Sequence, residues 1–208
     1  GLGMINALGH NKDSFQAIVD GECGIDKITL CDTSELDCKI AAEVKGFDGN
    51  TLFGHKDARR MDRFTQFALA AALQAVESSR LKITDDNRDR IGIVIGSGIG
   101  GMGTMNKQMD ICYERGPTRV SPFLVPMMLP DTAAGMTAIY LGVRGLNMAV
   151  STACATGTNA VGEASEVIRR GSADVILAGG SDAVIIPIAM AGLSNMGALS
   201  KRNDDPQR

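Results

Sequence analysis

From about Asp57 to Ser79, apolar residues recur at three- and four-residue steps, with Met61, Phe64, Phe67, Ala68, Ala71, Ala72, Ala75 and Val76 on one stripe. That spacing predicts an alanine-rich helix packed on a core. The period then changes. Arg90-Ile91-Gly92-Ile93-Val94-Ile95-Gly96 is short, β-branched and bounded by glycine, the pattern of a strand buried on both faces of a sheet. Leu146 to Ser151 and Ala173 to Ala178 repeat it, and between them Thr156 to Arg170 has helical spacing and closes at Gly171. A strand, helix, strand unit predicts parallel pairing with a right-handed crossover, hence a doubly wound α/β fold. Nearer the amino end, Lys12 to Val19 is spaced as a helix through Phe15, Ile18 and Val19, and Asp20-Gly21 closes it. Residues 23–54 alternate short apolar runs with Gly, Asp and Thr, predicting loop with short strands. Arg119 to Pro130 carries prolines at 122, 126 and 130. Proline interrupts both a continuous helix and a central strand, so this stretch reads as a rigid apolar loop, either core filler or the lining of a flexible-chain pocket or subunit contact.

Composition narrows the picture. With 208 residues, 44% hydrophobic, 22% charged and 25 glycines, the chain suits one compact α/β domain, residues 1–208. A net charge of −3 and a pI near 5.4 give no general reason to expect nucleic acid or an anionic membrane as partner. An acidic partner would have to be met by local basic patches. The five cysteines, at 23, 31, 38, 112 and 154, include no C-x-x-C pair, which argues against a disulfide framework or a zinc site and for a reducing compartment. No apolar run approaches the roughly 20 residues of a membrane span. The opening also lacks the layout of a secretory signal, so a soluble, cytoplasmic protein is expected. The glycine-turn opening and the polar run from Ser200 to Arg208 read as truncation at both ends.

The chemistry gathers at Val150-Ser151-Thr152-Ala153-Cys154-Ala155-Thr156-Gly157-Thr158-Asn159. A predicted buried strand ends and a helix begins within a few residues, with a cysteine at the junction. A thiol there would meet the unpaired N–H groups and positive end of the helix, which favour a thiolate and can stabilise a thioester oxyanion through the Cys154 backbone. The layout is that of a nucleophile elbow with sulfur in place of hydroxyl. A small buried core cysteine remains the alternative. A second cluster, Gly96-Ser97-Gly98-Ile99-Gly100-Gly101-Met102-Gly103, formally satisfies G-x-G-x-x-G after a strand. A dinucleotide site also wants a following strand ending in an acidic residue, whereas the stretch through Asp110, Glu114, Gly116 and Pro117 reads as helix and loop. Close backbone packing around a pocket suits it better.

Six separated stretches stand in order: GLGM at 1–4, Arg59-Arg60-Met61-Asp62, the G-S-G-I-G-G loop at 96–101, S-P-F-L-V-P at 121–126, A-C-A-T-G-T-N-A-V-G-E-A at 153–164 and A-G-G-S-D at 178–182. Together, over essentially the whole chain, they resemble the β-ketoacyl-acyl-carrier-protein synthases, condensing enzymes of the thiolase superfamily, and in particular the elongating branch of bacterial fatty acid synthesis. The resemblance implies the N-terminal half of a duplicated thiolase-like fold, layered α-β-α-β-α with a mostly parallel mixed sheet, working as a homodimer and without a cofactor or metal. It implies that Cys154 takes an acyl group from acyl carrier protein as a thioester, after which malonyl carrier protein is condensed with loss of carbon dioxide. In that pattern Ile99 gates the acyl pocket, Leu193 lies beside it, Leu124 reaches in from the dimer mate, and Ala153 adjoins the nucleophile. Lys56, Arg59, Arg60 and Arg119 are the implied contacts for the acidic carrier protein, against an ordinary solvated face. The chain departs from the pattern in having leucine at 124 and 193, where phenylalanine is common, and no basic residue at Thr118 or Gly197. The two histidines that the family's second half supplies are not matched by His10 or His55, so this chain accounts for acyl loading but not for condensation. A polyketide ketosynthase or a thiolase would share the fold and the cysteine. A noncatalytic chain-length partner would usually lack that cysteine.

Overall fold

The computed structural model describes residues 1–10 and 13–207. The helices are α1 Asp13–Val19, α2 Gly49–Phe53, α3 His55–Ala58, α4 Arg63–Ser79, α5 Met102–Arg115, α6 Leu124–Met128, α7 Thr132–Leu141, α8 Thr156–Arg169 and α9 Pro187–Asn195. The strands are β1 Asp26–Lys27, β2 Ile40–Ala41, β3 Ile91–Gly96, β4 Asn147–Met148 and β5 Val175–Gly180. Two compact units divide the chain: Gly1–Gly3 with Asp48–Ala183, and Met4–Phe47 with the segment from Val184 onward. Among the described residues, no helix is long and apolar enough to cross a membrane.

The first unit is built on three parallel strands in the order β4-β3-β5. All six residues of β3 are buried, as its unbroken apolar run predicts. Alternate side chains of β3 serve opposite faces. Ile91, Ile93 and Ile95 pack with Phe64, Ala68 and Ala72 of α4 and Ala133 and Ala134 of α7, whereas Val94 packs with Ala160 and Ala164 of α8. Burying each of these isoleucines contributes about 1.5–3 kcal/mol. The result is a sheet covered by helices on both faces. The α/β class predicted from the spacing therefore stands.

Several expectations are corrected. The strands flanking α8 do not pair with each other; both pair with β3, so α8 crosses over the central strand. Within 146–151, regular pairing is confined to Asn147–Met148. The long helix predicted over 57–79 is two, α3 and α4, because Asp62 is extended (φ −63°, ψ 160°) and caps α4 by accepting from Phe64 N. The loop predicted over 119–130 contains α6. Pro126 is tolerated there because it sits in the first turn, where backbone N–H groups lack intrahelical partners. Residues 23–54 likewise hold α2, capped by Asp48. The helix predicted from Lys12 is described from Asp13 onward, Lys12 lying outside the described residues.

In the second unit β1 and β2 pair antiparallel, Asp26 opposite Ala41 and Lys27 opposite Ile40. Ile28, Cys38 and Ile40 form its core with Met190 of α9. Glu43, only 2% exposed, accepts from Thr29 N (2.8 Å), Thr29 Oγ1 (2.8 Å) and Leu30 N (2.9 Å).

Candidate active site

Parallel strands end at one edge of a sheet, and that edge is where open α/β folds place their sites. Here β3 runs into residues 97–101, β5 into Ser181 and Asp182, and β4 leads on toward Cys154. Cys154 lies in a 3₁₀ turn, Ala153–Ala155, directly ahead of α8. It is exposed, which removes the core-cysteine alternative. No side chain caps the amino end of α8 and no acidic residue occupies its first turn, so the positive end of the helix is left to whatever approaches the turn.

Ala153 adopts a left-handed conformation with φ 51°, a strain of about 1–3 kcal/mol for a residue with a Cβ. Hydrogen bonds hold it there. Ala155 N donates to Thr152 O (3.1 Å), Thr152 N donates to the hydroxyl of buried Thr156 (2.9 Å), and Asn159 Nδ2 donates to Thr152 Oγ1 (2.9 Å). Glycines let the surrounding backbone close in. A Cβ on Gly96 would lie 1.9 Å from Val150 O, one on Gly98 would lie 3.2 Å from Ala153 O, and one on Gly180 would lie 3.0 Å from Gly157 Cα. The first turn of α8 is thereby seated on the ends of β3 and β5.

The glycine-rich loop is consumed by packing. Gly101 N donates to Met128 O at 3.1 Å, and a Cβ on Gly101 would meet Met127 O at 2.2 Å, so the loop lies against the end of α6. After α5 the chain enters a 3₁₀ turn, Pro117–Arg119, and then α6, not the strand that a dinucleotide fingerprint requires. Ser97 Oγ donates to Asp182 Oδ1 (2.7 Å), and the backbone N–H groups of Gly98 and Ile99 donate to the same carboxylate (3.2 Å each).

The structure brings Cys154, Ala153 and the Ile99 loop together through Gly98, and joins that loop to α6, whose first residue is Leu124. Ile99 is 41% exposed and Leu124 is half-buried. Leu193 is half-buried on α9, in the second unit. Of the basic residues, Lys56, Arg59 and Arg119 are exposed. Arg60 differs: its guanidinium lies 4.9 Å from the Phe123 ring centroid and its buried Nε has no hydrogen-bond partner. The histidines are engaged elsewhere, His10 edge-on to Phe47 (5.8 Å) and His55 Nδ1 on Asn50 Oδ1 (3.1 Å). Among the described residues no cluster of His, Cys, Asp and Glu is arranged to hold a metal ion. Sequence reasoning assigned no role to Ser97, Thr152, Thr156, Asn159 or Asp182. For Asp182 the available signal was a short carboxylate two residues after a strand that ends in two glycines; that strand, expected to be buried, is only half-buried.

A family model for the beta-ketoacyl synthase N-terminal domain matches residues 1–208. The chain is 44% identical over 99% of its length to a 3-oxoacyl-[acyl-carrier-protein] synthase 2 of Synechocystis sp. and 46% identical over 98% to one of Staphylococcus aureus. It spans about half the length of these relatives, 50% in each case. The crystal structure of a beta-ketoacyl synthase from Burkholderia phymatum superposes on all of this chain and 51% of its own with a TM-score of 0.84 at 28% identity. Sequence match, shared architecture and a cysteine raised at the strand-to-helix turn agree: the chain belongs to the β-ketoacyl synthase family, as its N-terminal domain.

Proposed function

We propose that residues 1–208 form the acyl-accepting half of a condensing enzyme of fatty acid elongation, with Cys154 as the nucleophile. The observation that carries this reading is an exposed Cys154 one turn ahead of the uncapped amino end of α8. Its sulfur attacks the carbonyl carbon of an acyl-carrier thioester. The oxygen gains negative charge, which the Cys154 backbone N–H at the positive helix end offsets. The carbon–sulfur bond to the carrier then breaks, and the carrier thiol leaves with the proton that Cys154 gave up. Ala153, Ile99, Leu124 and Leu193 are assigned to the acyl chain. Lys56, Arg59 and Arg119, with Arg60 held beside Phe123, are assigned to the acidic carrier protein.

Condensation would follow when a malonyl carrier thioester loses carbon dioxide and its carbanion attacks the Cys154 thioester carbon, releasing the thiolate. Donors for that enolate are assigned to the part of such enzymes beyond the N-terminal domain, since His10 and His55 bond elsewhere. A homodimer in the cytoplasm, acting without a cofactor, completes the proposal. Intact-mass measurement after incubation with an acyl-carrier thioester tests the first step. One acyl adduct is expected, lost in Cys154→Ala and accompanied by no β-ketoacyl product when malonyl carrier protein is added. An adduct that persists in Cys154→Ala refutes the assignment of the nucleophile.

A further inference from the structure

Asp182 lies two residues beyond the end of β5 and faces the end of β3. The residue before it is fixed at two points: Ser181 N donates to Gly96 O (3.0 Å) and Ser181 Oγ donates to Phe64 O (2.7 Å). From that base the Asp182 carboxylate collects three donors of the 97–101 loop. Oδ1 accepts from Ser97 Oγ (2.7 Å) and Ile99 N (3.2 Å), and Oδ2 accepts from Gly98 N (3.2 Å). Ser97, itself buried, has its hydroxyl proton committed to Asp182, so its oxygen is available to accept from Gly100 N at 2.8 Å. One carboxylate thus orders four consecutive residues. The same loop touches the cysteine turn, where a Cβ on Gly98 would stand 3.2 Å from Ala153 O and 3.4 Å from Ala153 Cα.

We propose that Asp182 is a positioning residue for Cys154: it latches the 97–101 loop against Ala153 and thereby sets how bulky a molecule reaches the sulfur. The latch requires only that Cys154 be a reacting thiol, and so goes beyond the acyl-acceptor reading. Asp182→Asn keeps the shape but replaces one acceptor oxygen with an NH2 group aimed at N–H donors, loosening the loop. Asp182→Glu keeps both acceptor oxygens.

The chain is reacted with iodoacetamide and, separately, with a pyrene maleimide, and modification of Cys154 and Cys23 is followed by peptide mass. Both cysteines are exposed, and Cys23 serves as the internal reference. Asp182→Asn is expected to raise the ratio of bulky to small reagent rates at Cys154 by about tenfold, the equivalent of one charge-assisted hydrogen bond, with the Cys23 ratio unchanged. Asp182→Glu should stay close to the parent. If Asp182→Asn does not fold, Ser97→Ala, which removes the 2.7 Å bond and the acceptor for Gly100 N, supplies the same readout. A Cys154 ratio unmoved in a folded variant, or equal changes at both cysteines, overturns the latch. Parallel incubation with acetyl and dodecanoyl thioesters separates the two proposals: an unacylated parent chain refutes the acyl-acceptor reading, while the alkylation ratios still decide on Asp182.

Discussion

Asp62→Ala offers a direct test of how the first unit is held together. Asp62 is 6% exposed and its carboxylate accepts from Phe64 N (3.2 Å), Thr104 N (2.9 Å) and Thr104 Oγ1 (2.6 Å). It therefore caps α4 and ties the start of α5 to it. Loss of the cap is worth about 1 kcal/mol. Each buried hydrogen bond to a charged acceptor is worth about 1.5–3 kcal/mol, and its removal leaves Thr104 N–H and O–H without that acceptor in a buried setting. Allowing for relaxation and water entry, we expect Asp62→Ala to lower unfolding free energy by about 3–5 kcal/mol, a large part of the 5–15 kcal/mol typical of a domain. Thr104→Val removes only the hydroxyl bond and should lower it by about 1–2 kcal/mol. Because the two residues share one network, the double variant should be less destabilised than the sum by about 1 kcal/mol or more. Urea unfolding followed by far-ultraviolet circular dichroism provides all four values. A loss below about 1 kcal/mol for Asp62→Ala, or strict additivity with Thr104→Val, would refute the reasoning.

Two further outcomes follow from the contacts. Burial by itself pushes the Glu43 carboxyl up, but hydrogen bonds from Leu30 N and from the hydroxyl and N–H of Thr29, with the charge of Lys45, outweigh it and hold the group below its usual range. A carboxylate whose folded value is depressed stabilises above its unfolded value, about 4.3, and loses that contribution as pH falls through the folded value. The parent should therefore exceed Glu43→Gln in stability at pH 7, with the difference shrinking below about pH 4; an equal difference at pH 7 and pH 3 would contradict this. Gly180→Ala should cost about 1–3 kcal/mol and, under the proposed function, slow acylation of Cys154, because the new methyl meets the backbone of Gly157 and not a yielding side chain. A neutral Gly180→Ala would show that the seat of α8 is looser than the distances indicate.

The elements legible in the sequence are those with an unbroken apolar run or a clear helical period. β3 needs no partner to be recognised, because Ile91, Ile93, Val94 and Ile95 are apolar on both faces. α4 declares itself through Phe64, Ala68 and Ala72, although the break before it depended on a single buried carboxylate serving two helices. Strand order was not legible: β4 and β5 both pair with β3, and nothing local in either strand specifies which neighbour it takes. α6 was hidden by a rule applied too broadly, since proline excludes the interior of a helix but not its first turn. The exposed turn position of Cys154 could be read from the sequence because the strand end, the cysteine and the helix start lie within a few residues of one another. The partners of Asp182 could not, because its hydrogen bonds reach residues 83 to 85 positions away along the chain.

The turn at Ala153 explains why so many glycines lie at one edge of the sheet. Burial changes abruptly there, from an exposed Cys154 to a Thr156 only 3% exposed two residues later. At the head of this turn Ala153 takes a left-handed φ of 51°, a backbone conformation that neither regular helix nor strand contains. Strain of that kind persists only where the surroundings over-determine it. Here the Thr156 hydroxyl fixes Thr152 from inside, Asn159 fixes it from the next turn of α8, and Gly98 presses on the Ala153 backbone from the loop that Asp182 holds. Replacing any one of these groups leaves the others in place, so each substitution should relax the turn only partly and affect the sulfur more than the fold. Cys154 and its rigid support are thus set by one turn and the residues that hold it, and the proposed chemistry depends on how tightly three strand ends can be drawn together.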